Sequence, residues 1–294
     1  MNIETVFLKA TDGVSLTGVL YKTNKNTKKV MIAVHGMATG CIRKRYEAIA
    51  KKIGENNIDL LVFNNRGHGI VNNIKRKNKV NAELAGSAYE EITECYEDIS
   101  GAINYVLSKG YMDIYLMGHS LGTIKIIYFY NKMLKENKEL KSNIKAVILL
   151  SLVDLPLLIK FYLRDKYQDT INFAKKMKNE NKEMLLLQNE SFMYPLSVKN
   201  FLRYSIENDD IDFARFSDEK YEFREINKIK VPLFMRWGNN KELILQQAED
   251  LCEFLKTKIN NPNLDIGYID GANHSYKNRE KELAEEIASF LEKQ

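Results

Sequence analysis

Residues 30–34 (Val-Met-Ile-Ala-Val), 60–63 (Leu-Leu-Val-Phe) and 146–150 (Ala-Val-Ile-Leu-Leu) are apolar at every position. A strand with one wet face alternates apolar and polar residues. A run without alternation is the pattern of a strand covered on both faces. Residues 114–117, 231–237 and 264–269 add further strand-like runs, with Pro232 near a strand start, where proline is tolerated. Between the runs lie helical patterns at residues 43–55, 89–107, 121–135 and 278–292. In the second of these, Ile92, Tyr96, Ile99, Ile103 and Val106 share one face. Strands alternating with helices predict an α/β fold, a mostly parallel sheet with helices on both faces. At the start, residues 5–9 and 15–21 predict an antiparallel hairpin around Thr11-Asp12-Gly13 at a sheet edge, followed by a polar loop at 22–29.

The alternation stops between residues 155 and 226. That stretch has no buried-strand run, only helical patterns at 157–163, 170–187 and 197–206. It divides the chain into a core of residues 1–154 and 227–294 and an inserted segment of residues 155–226.

The chemistry concentrates where the run ending at Gly118 meets the helical pattern after Ser120. The sequence there is Gly118-His119-Ser120-Leu121-Gly122, a G-x-S-x-G. A serine on a sharp strand-to-helix turn needs neighbours two positions away with almost no side chain, and glycines supply that room. The turn lifts the serine Oγ above the sheet edge, beside the first N–H groups of the next helix, where an oxyanion can be held. On this motif in its strand–turn–helix context, the chain resembles the α/β-hydrolase fold family, in its serine esterase and lipase branch. The resemblance runs from the His35-Gly36 turn to the His274 segment and is weak in the middle.

A serine hydroxyl is a weak nucleophile and needs a base. The chain has four histidines. His119 lies inside the motif, and His35 and His68 sit in turns after strands, where the resemblance implies structural roles. His274, in Gly271-Ala272-Asn273-His274-Ser275-Tyr276 between the last strand and the last helix, stands where the family carries its catalytic histidine. The resemblance also implies oxyanion donors at the backbone N–H groups of Leu121 and Met37, and a helical lid over Ser120 at residues 155–226. Lid residues such as Leu158, Phe192, Met193 and Tyr194 would then either pack against the body or line an apolar pocket.

The acid of the triad departs from the family pattern. The usual aspartate falls three residues beyond the glycine of Trp237-Gly238-Asn239-Asn240-Lys241-Glu242, a place held here by Lys241. Glu242 is adjacent, with one more methylene of reach. Asp154 lies past Ser151, in the other loop from which some family members draw their acid, and could equally cap the next helix. Glu242 is the first expectation and Asp154 the alternative.

Composition narrows the setting. The 294 residues carry 45% hydrophobic residues, ample for one large core. The net charge of +5, from 44 basic and 39 acidic residues, is spread along the chain. No basic cluster interleaved with aromatics marks a nucleic-acid site. The run Lys75-Arg76-Lys77, continued by Lys79, predicts a solvated loop. Three widely spaced cysteines, Cys41, Cys95 and Cys252, suit a reducing compartment, and neither a signal peptide nor an apolar stretch of transmembrane length is seen. The expectation is a cytoplasmic protein without stable membrane insertion. No C-x-x-C or His/Cys cluster suggests a metal, and no cofactor is expected.

These features predict a serine hydrolase of carboxylic esters, with thioesters or amides open to the same machinery, acting on a small ester with an apolar acyl group. The alternative is a catalytically idle member of the fold that binds a small apolar ligand, for which Lys241 speaks. Haloalkane-type chemistry is disfavoured by a serine rather than an aspartate at the elbow. Dinucleotide binding is disfavoured because no G-x-G-x-x-G follows the first buried strand.

Overall fold

A computed structural model describes the chain except residues 24–25, 77–79, 137–138, 188–191 and 208–209. The first part of the chain forms β1 (Asn2–Lys9), β2 (Ser15–Lys22), β3 (Lys29–Val34), α1 (Lys44–Ile53) and β4 (Ile58–Asn64). A small ribbon of β5 (Asn72–Ile74) and β6 (Glu83–Ala85) precedes α2 (Cys95–Ser108), β7 (Asp113–His119), α3 (Leu121–Glu136) and β8 (Ile144–Leu150). Then come α4 (Leu155–Leu163), α5 (Tyr167–Asn179), a second ribbon of β9 (Leu186–Leu187) and β10 (Leu196–Ser197), α6 (Val198–Ser205) and α7 (Arg224–Asn227). β11 (Leu233–Gly238), α8 (Ala248–Lys258), β12 (Leu264–Ile269) and α9 (Glu280–Glu292) complete the chain.

Among the described residues, eight strands form one sheet in the order β1-β2-β4-β3-β7-β8-β11-β12. The β1–β2 and β2–β4 pairs are antiparallel, and every later pair is parallel. The non-alternating runs now have their cause. Along β7, Ile114 and Leu116 face the core that holds α2, α3 and α8, while Tyr115 and Met117 face the core that holds α1 and α9. β3 and β4 divide in the same way, Ile32 and Leu61 to one side and Ala33 and Leu60 to the other. Each fully buried Leu or Ile on such a strand contributes about 1.5–3 kcal/mol relative to exposure. This two-sided burial holds the parallel strand ends, and the loops that leave them, in fixed relative positions.

Three expectations differ from the structure. The helix read over 89–107 begins at Cys95, after a single 3₁₀ turn over Ile92–Glu94. The preceding carbonyls are engaged elsewhere: Ser197 N–H donates to Ala88 O at 2.9 Å, and Asn200 Nδ2 donates to Ser87 O and Glu90 O at 3.2 and 3.0 Å. The helix read over 170–187 stops at Asn179, two residues before the left-handed Asn181 (φ +57°), and the apolar pair Leu186–Leu187 forms a strand. Arg76 is not a solvated side chain. It bonds Glu94 at 2.9 Å and Glu83 at 3.2 Å, and reaches Asp12; Lys77 and Lys79 lie outside the described residues.

Candidate active site

β7 ends at His119 and α3 begins at Leu121, so Ser120 alone makes the turn, with φ +54°. Two backbone bonds hold it there: Ser120 N–H to Leu150 O at 2.9 Å, and Thr123 N–H to Ser120 O at 2.8 Å. The flanking glycines are required for space. A Cβ on Gly118 would stand 2.4 Å from Gly122 O, and one on Gly122 would stand 2.2 Å from Val34 O. Leu121 opens α3, so its N–H has no carbonyl within the helix to reach. Neither it nor the Met37 N–H in the loop after β3 donates to a protein group among the described residues. Met37, Ser120 and Leu121 line one cavity of about 790 Å³.

His274 lines the same cavity, in the loop between β12 and α9. Its Nδ1 is hydrogen-bonded to Glu242 Oε1. Glu242 is almost fully buried, and all its acceptor directions are used. Oε1 also accepts from Leu243 N–H at 2.8 Å, and Oε2 accepts from Gly238 N–H at 2.9 Å and Ser151 Oγ at 2.8 Å. Burial pushes the Glu242 pKa up, but His274 and the two backbone donors outweigh it and hold the carboxyl below its ordinary value. Lys241 takes a left-handed conformation (φ +55°) and is exposed, which swings the next residue inward. Ser120 Oγ makes no hydrogen bond among the described residues; such contacts are often long before substrate arrives.

Asp154, the alternative acid, is absent from this network. Its carboxylate accepts from Leu157 N–H and Phe216 N–H, both at 3.1 Å, and caps α4. Burial is the first cause that raises its pKa to about 7, and Asp212 adds repulsion. The other histidines are fixed in loops. His35 Nδ1 donates to Gly36 O at 2.9 Å, and its complete burial lowers the pKa to about 3. His68 lies 3.2 Å from Asn65 O and bonds Asn72.

His119 does more than fill space. Arg45 Nη2 lies 3.1 Å from its Nδ1. A guanidinium only donates, so Nδ1 accepts and Nε2 carries the proton. Nε2 then donates to His274 O at 2.7 Å, tying the motif's histidine to the backbone of the other. Burial, with the Arg45 charge next, lowers the His119 pKa well below the usual range and keeps the ring neutral. Two residues that motif reading passed over complete the surroundings. Ser151, at the end of β8, supports Glu242, and Tyr276 OH donates to Arg236 O at 2.7 Å while lying 3.0 Å from Ser151 Oγ. The only signal for Ser151 was its place at a strand end in the second acid-bearing loop.

Leu155, Leu158, Val153, Phe192 and Met193 form an apolar wall of the cavity. Elsewhere in residues 155–226, Phe201 is fully buried, whereas Phe161 and Tyr162 are exposed. Among the described residues, no group of three His, Cys, Asp or Glu side chains could hold a metal ion, and no helix is long and apolar enough to cross a membrane.

A family model described as a protein of unknown function (DUF1749) matches residues 79–292. The chain belongs to the DUF1749 family. Solved structures then place this DUF1749 chain among α/β-hydrolase folds. One is the esterase Est1E from Butyrivibrio proteoclasticus with ferulic acid bound, 17% identical, covering 98% of this chain and 99% of that one with a TM-score of 0.67. Another is the α/β hydrolase GrgF from Penicillium sp. sh18, 14% identical, covering 100% and 99%, with a TM-score of 0.67. A third is the Pyrococcus furiosus esterase Pf2001, 18% identical, covering 99% and 91%, with a TM-score of 0.57. At these identities the likeness is one of fold. No curated protein sequence matches significantly.

Proposed function

We propose that the chain is a serine hydrolase of carboxylic esters. The observation that carries this reading is the buried, fully bonded Glu242 carboxylate on His274 Nδ1, in the cavity that Ser120 also lines. With Nδ1 engaged, the neutral imidazole presents Nε2 as the base. Ser120 Oγ attacks the acyl carbon and its proton passes to His274 Nε2. The carbonyl oxygen becomes an oxyanion facing the unpaired N–H groups of Met37 and Leu121. Collapse breaks the carbon–oxygen bond, and His274 returns the proton to the departing alcohol. A water, deprotonated by the same nitrogen, then cleaves the acyl-serine to a carboxylic acid and free Ser120. Thioesters would follow the same route.

Residues 155–226 serve in this reading as the lid over the site, with the wall of Leu155, Leu158, Phe192 and Met193 receiving the acyl chain. The idle-binder alternative drew its support from Lys241. That residue is exposed while its neighbour Glu242 meets the histidine, so the alternative loses its ground. Three buried, free cysteines support a cytoplasmic setting.

The test is fluorophosphonate labelling together with hydrolysis of p-nitrophenyl butyrate. The wild type should do both, and Ser120→Ala should lose labelling and about 10⁶ of kcat. Undiminished turnover in a contaminant-free Ser120→Ala preparation would refute the assignment.

A further inference from the structure

Part of the cavity lining is basic. Arg43, Lys44 and Arg45 belong to it from the start of α1, and Lys277 from the loop that carries His274. Arg43, Lys44 and Lys277 are exposed and have no carboxylate partner among the described residues. Arg45 lies in the same lining, only 5% exposed, with its Nε unpartnered. Two carboxylates also reach this lining. Glu47 is held by Lys51 at 2.8 Å, and Glu280 opens α9, where a negative charge suits the helix start.

Three consecutive basic residues at the start of α1 have the wrong sign for a helix N-terminus, whose unpaired N–H groups favour anions. Arg43 occupies the cap position without a side-chain cap bond. Arg45 is accounted for by its bond to His119, and Glu47 supplies the acid a first turn favours; Arg43 and Lys44 have no such local partner among the described residues, and an anion in the cavity would give them one. It would meet the guanidinium and ammonium groups together with the N–H groups of Lys44 and Arg45, whereas the Tyr46 N–H already donates to Arg43 O at 3.0 Å.

The position relative to His274 identifies which part of the substrate this is. The leaving oxygen must lie within hydrogen-bond reach of His274 Nε2 to receive its proton. A departing group beside His274 is close to the loop that carries Lys277, three residues further on, and the start of α1 lines the same cavity; Leu158 and Phe192 in that lining are left to the acyl chain. We propose that the enzyme takes esters whose leaving alcohol carries an anionic group, a carboxylate or a phosphate, recognised by Arg43, Lys44 and Lys277. The inference rests on the serine-hydrolase reading. The alcohol departs with the proton from His274 and keeps its own negative charge, and the acyl group stays on Ser120 until water removes it.

The experiment compares three butyrate esters: 4-carbamoylphenyl (neutral), 4-carboxyphenyl, and the butyryl ester of 4-hydroxyphenyl phosphate. At low salt, kcat/KM of the wild type should favour at least one anionic ester over the neutral one by about fivefold or more, as charge complementarity at a cavity mouth allows. The preferred ester identifies carboxylate or phosphate. The ratio should collapse toward one in Arg43→Gln/Lys44→Gln/Lys277→Gln, checked for folding by circular dichroism, and should shrink in the wild type when salt shortens the reach of the charges. Ser120-dependent hydrolysis of the neutral ester with no anionic preference overturns this inference alone. A preference that survives the triple substitution also overturns it. No hydrolysis of any ester overturns the serine-hydrolase reading and takes this inference with it.

Discussion

Ser151 Oγ donates to Glu242 Oε2 at 2.8 Å, joining the ends of the neighbouring strands β8 and β11 behind His274. The family resemblance names these two loops as the alternative homes of a triad acid. Here one carries the carboxylate and the other a hydroxyl that bonds it. Glu242 thus gains its fourth donor from the loop that could have replaced it.

That arrangement ranks a set of substitutions. Glu242→Gln leaves an amide where the imidazolium needs a charge, and should lose at least about 10² in kcat. Ser151→Ala removes one of four donors and should cost about tenfold or less, the worth of one hydrogen bond. Asp154→Asn and Lys241→Ala should stay within a few-fold of wild type. The measurement is kcat at saturating ester for each folded variant. A crippled Asp154→Asn beside an active Glu242→Gln would reverse the assignment of the acid.

A second expectation follows from the bond between His119 Nε2 and His274 O. His119→Phe fills a similar volume without the donor. The His274 loop loses one fixed point, and kcat should fall about tenfold, with KM less affected. An unchanged kcat would mean that the Glu242 contacts alone position the ring.

The apolar wall makes a third claim. Each methylene added to the acyl chain should gain about 0.8 kcal/mol in kcat/KM while it enters the region of Leu158 and Phe192. A p-nitrophenyl series from acetyl to octanoyl reads this directly. A flat response would remove the apolar acyl site and leave the basic lining to be judged by itself.

Asp154 gives a stability prediction with a definite sign. Its folded pKa of about 7 lies above the ordinary 3.8. The folded protein therefore holds a proton that the unfolded chain has released, and this stabilisation is complete below the unfolded value. It is lost as pH rises from the unfolded value to the folded one, with a slope of at most about 1.4 kcal/mol per pH step of one. Urea unfolding at pH 5 and pH 8 should show wild type losing more stability over that interval than Asp154→Asn. Equal losses would show that the carboxyl is ionised at both.

Most of this architecture was written in the chain in a readable way. The apolar runs at β3, β4 and β8 follow from burial on both faces, and the G-x-S-x-G glycines from contacts closer than a Cβ permits. Glu242 was reachable because an adjacent lysine cannot serve and a methylene adds length. Its supports were not. Ser151 and Tyr276 act through contacts between residues 91 and 125 positions apart, and such distances carry no periodicity. The late start of α2 was hidden for a similar reason. Ser197 and Asn200 claim the carbonyls of Ser87, Ala88 and Glu90, and both lie more than a hundred residues downstream.

Ten non-glycine residues have left-handed φ among the described residues, and Ala38, Ser120, Ser151, Lys241, Tyr276 and Asn278 all lie in the loops at the site. Conformations of this kind cost of order 1–3 kcal/mol each in the sparsely allowed cases, and asparagine pays least. An engineer seeking heat resistance would find the most accessible gains by relaxing these positions. Ser120 and its neighbours would then settle into ordinary backbone, and the protein would melt later with the atoms of the proposed reaction no longer aligned. Thermal hardening of this scaffold should instead come from sites remote from that rim, such as Arg164, where a positive φ supports no chemistry.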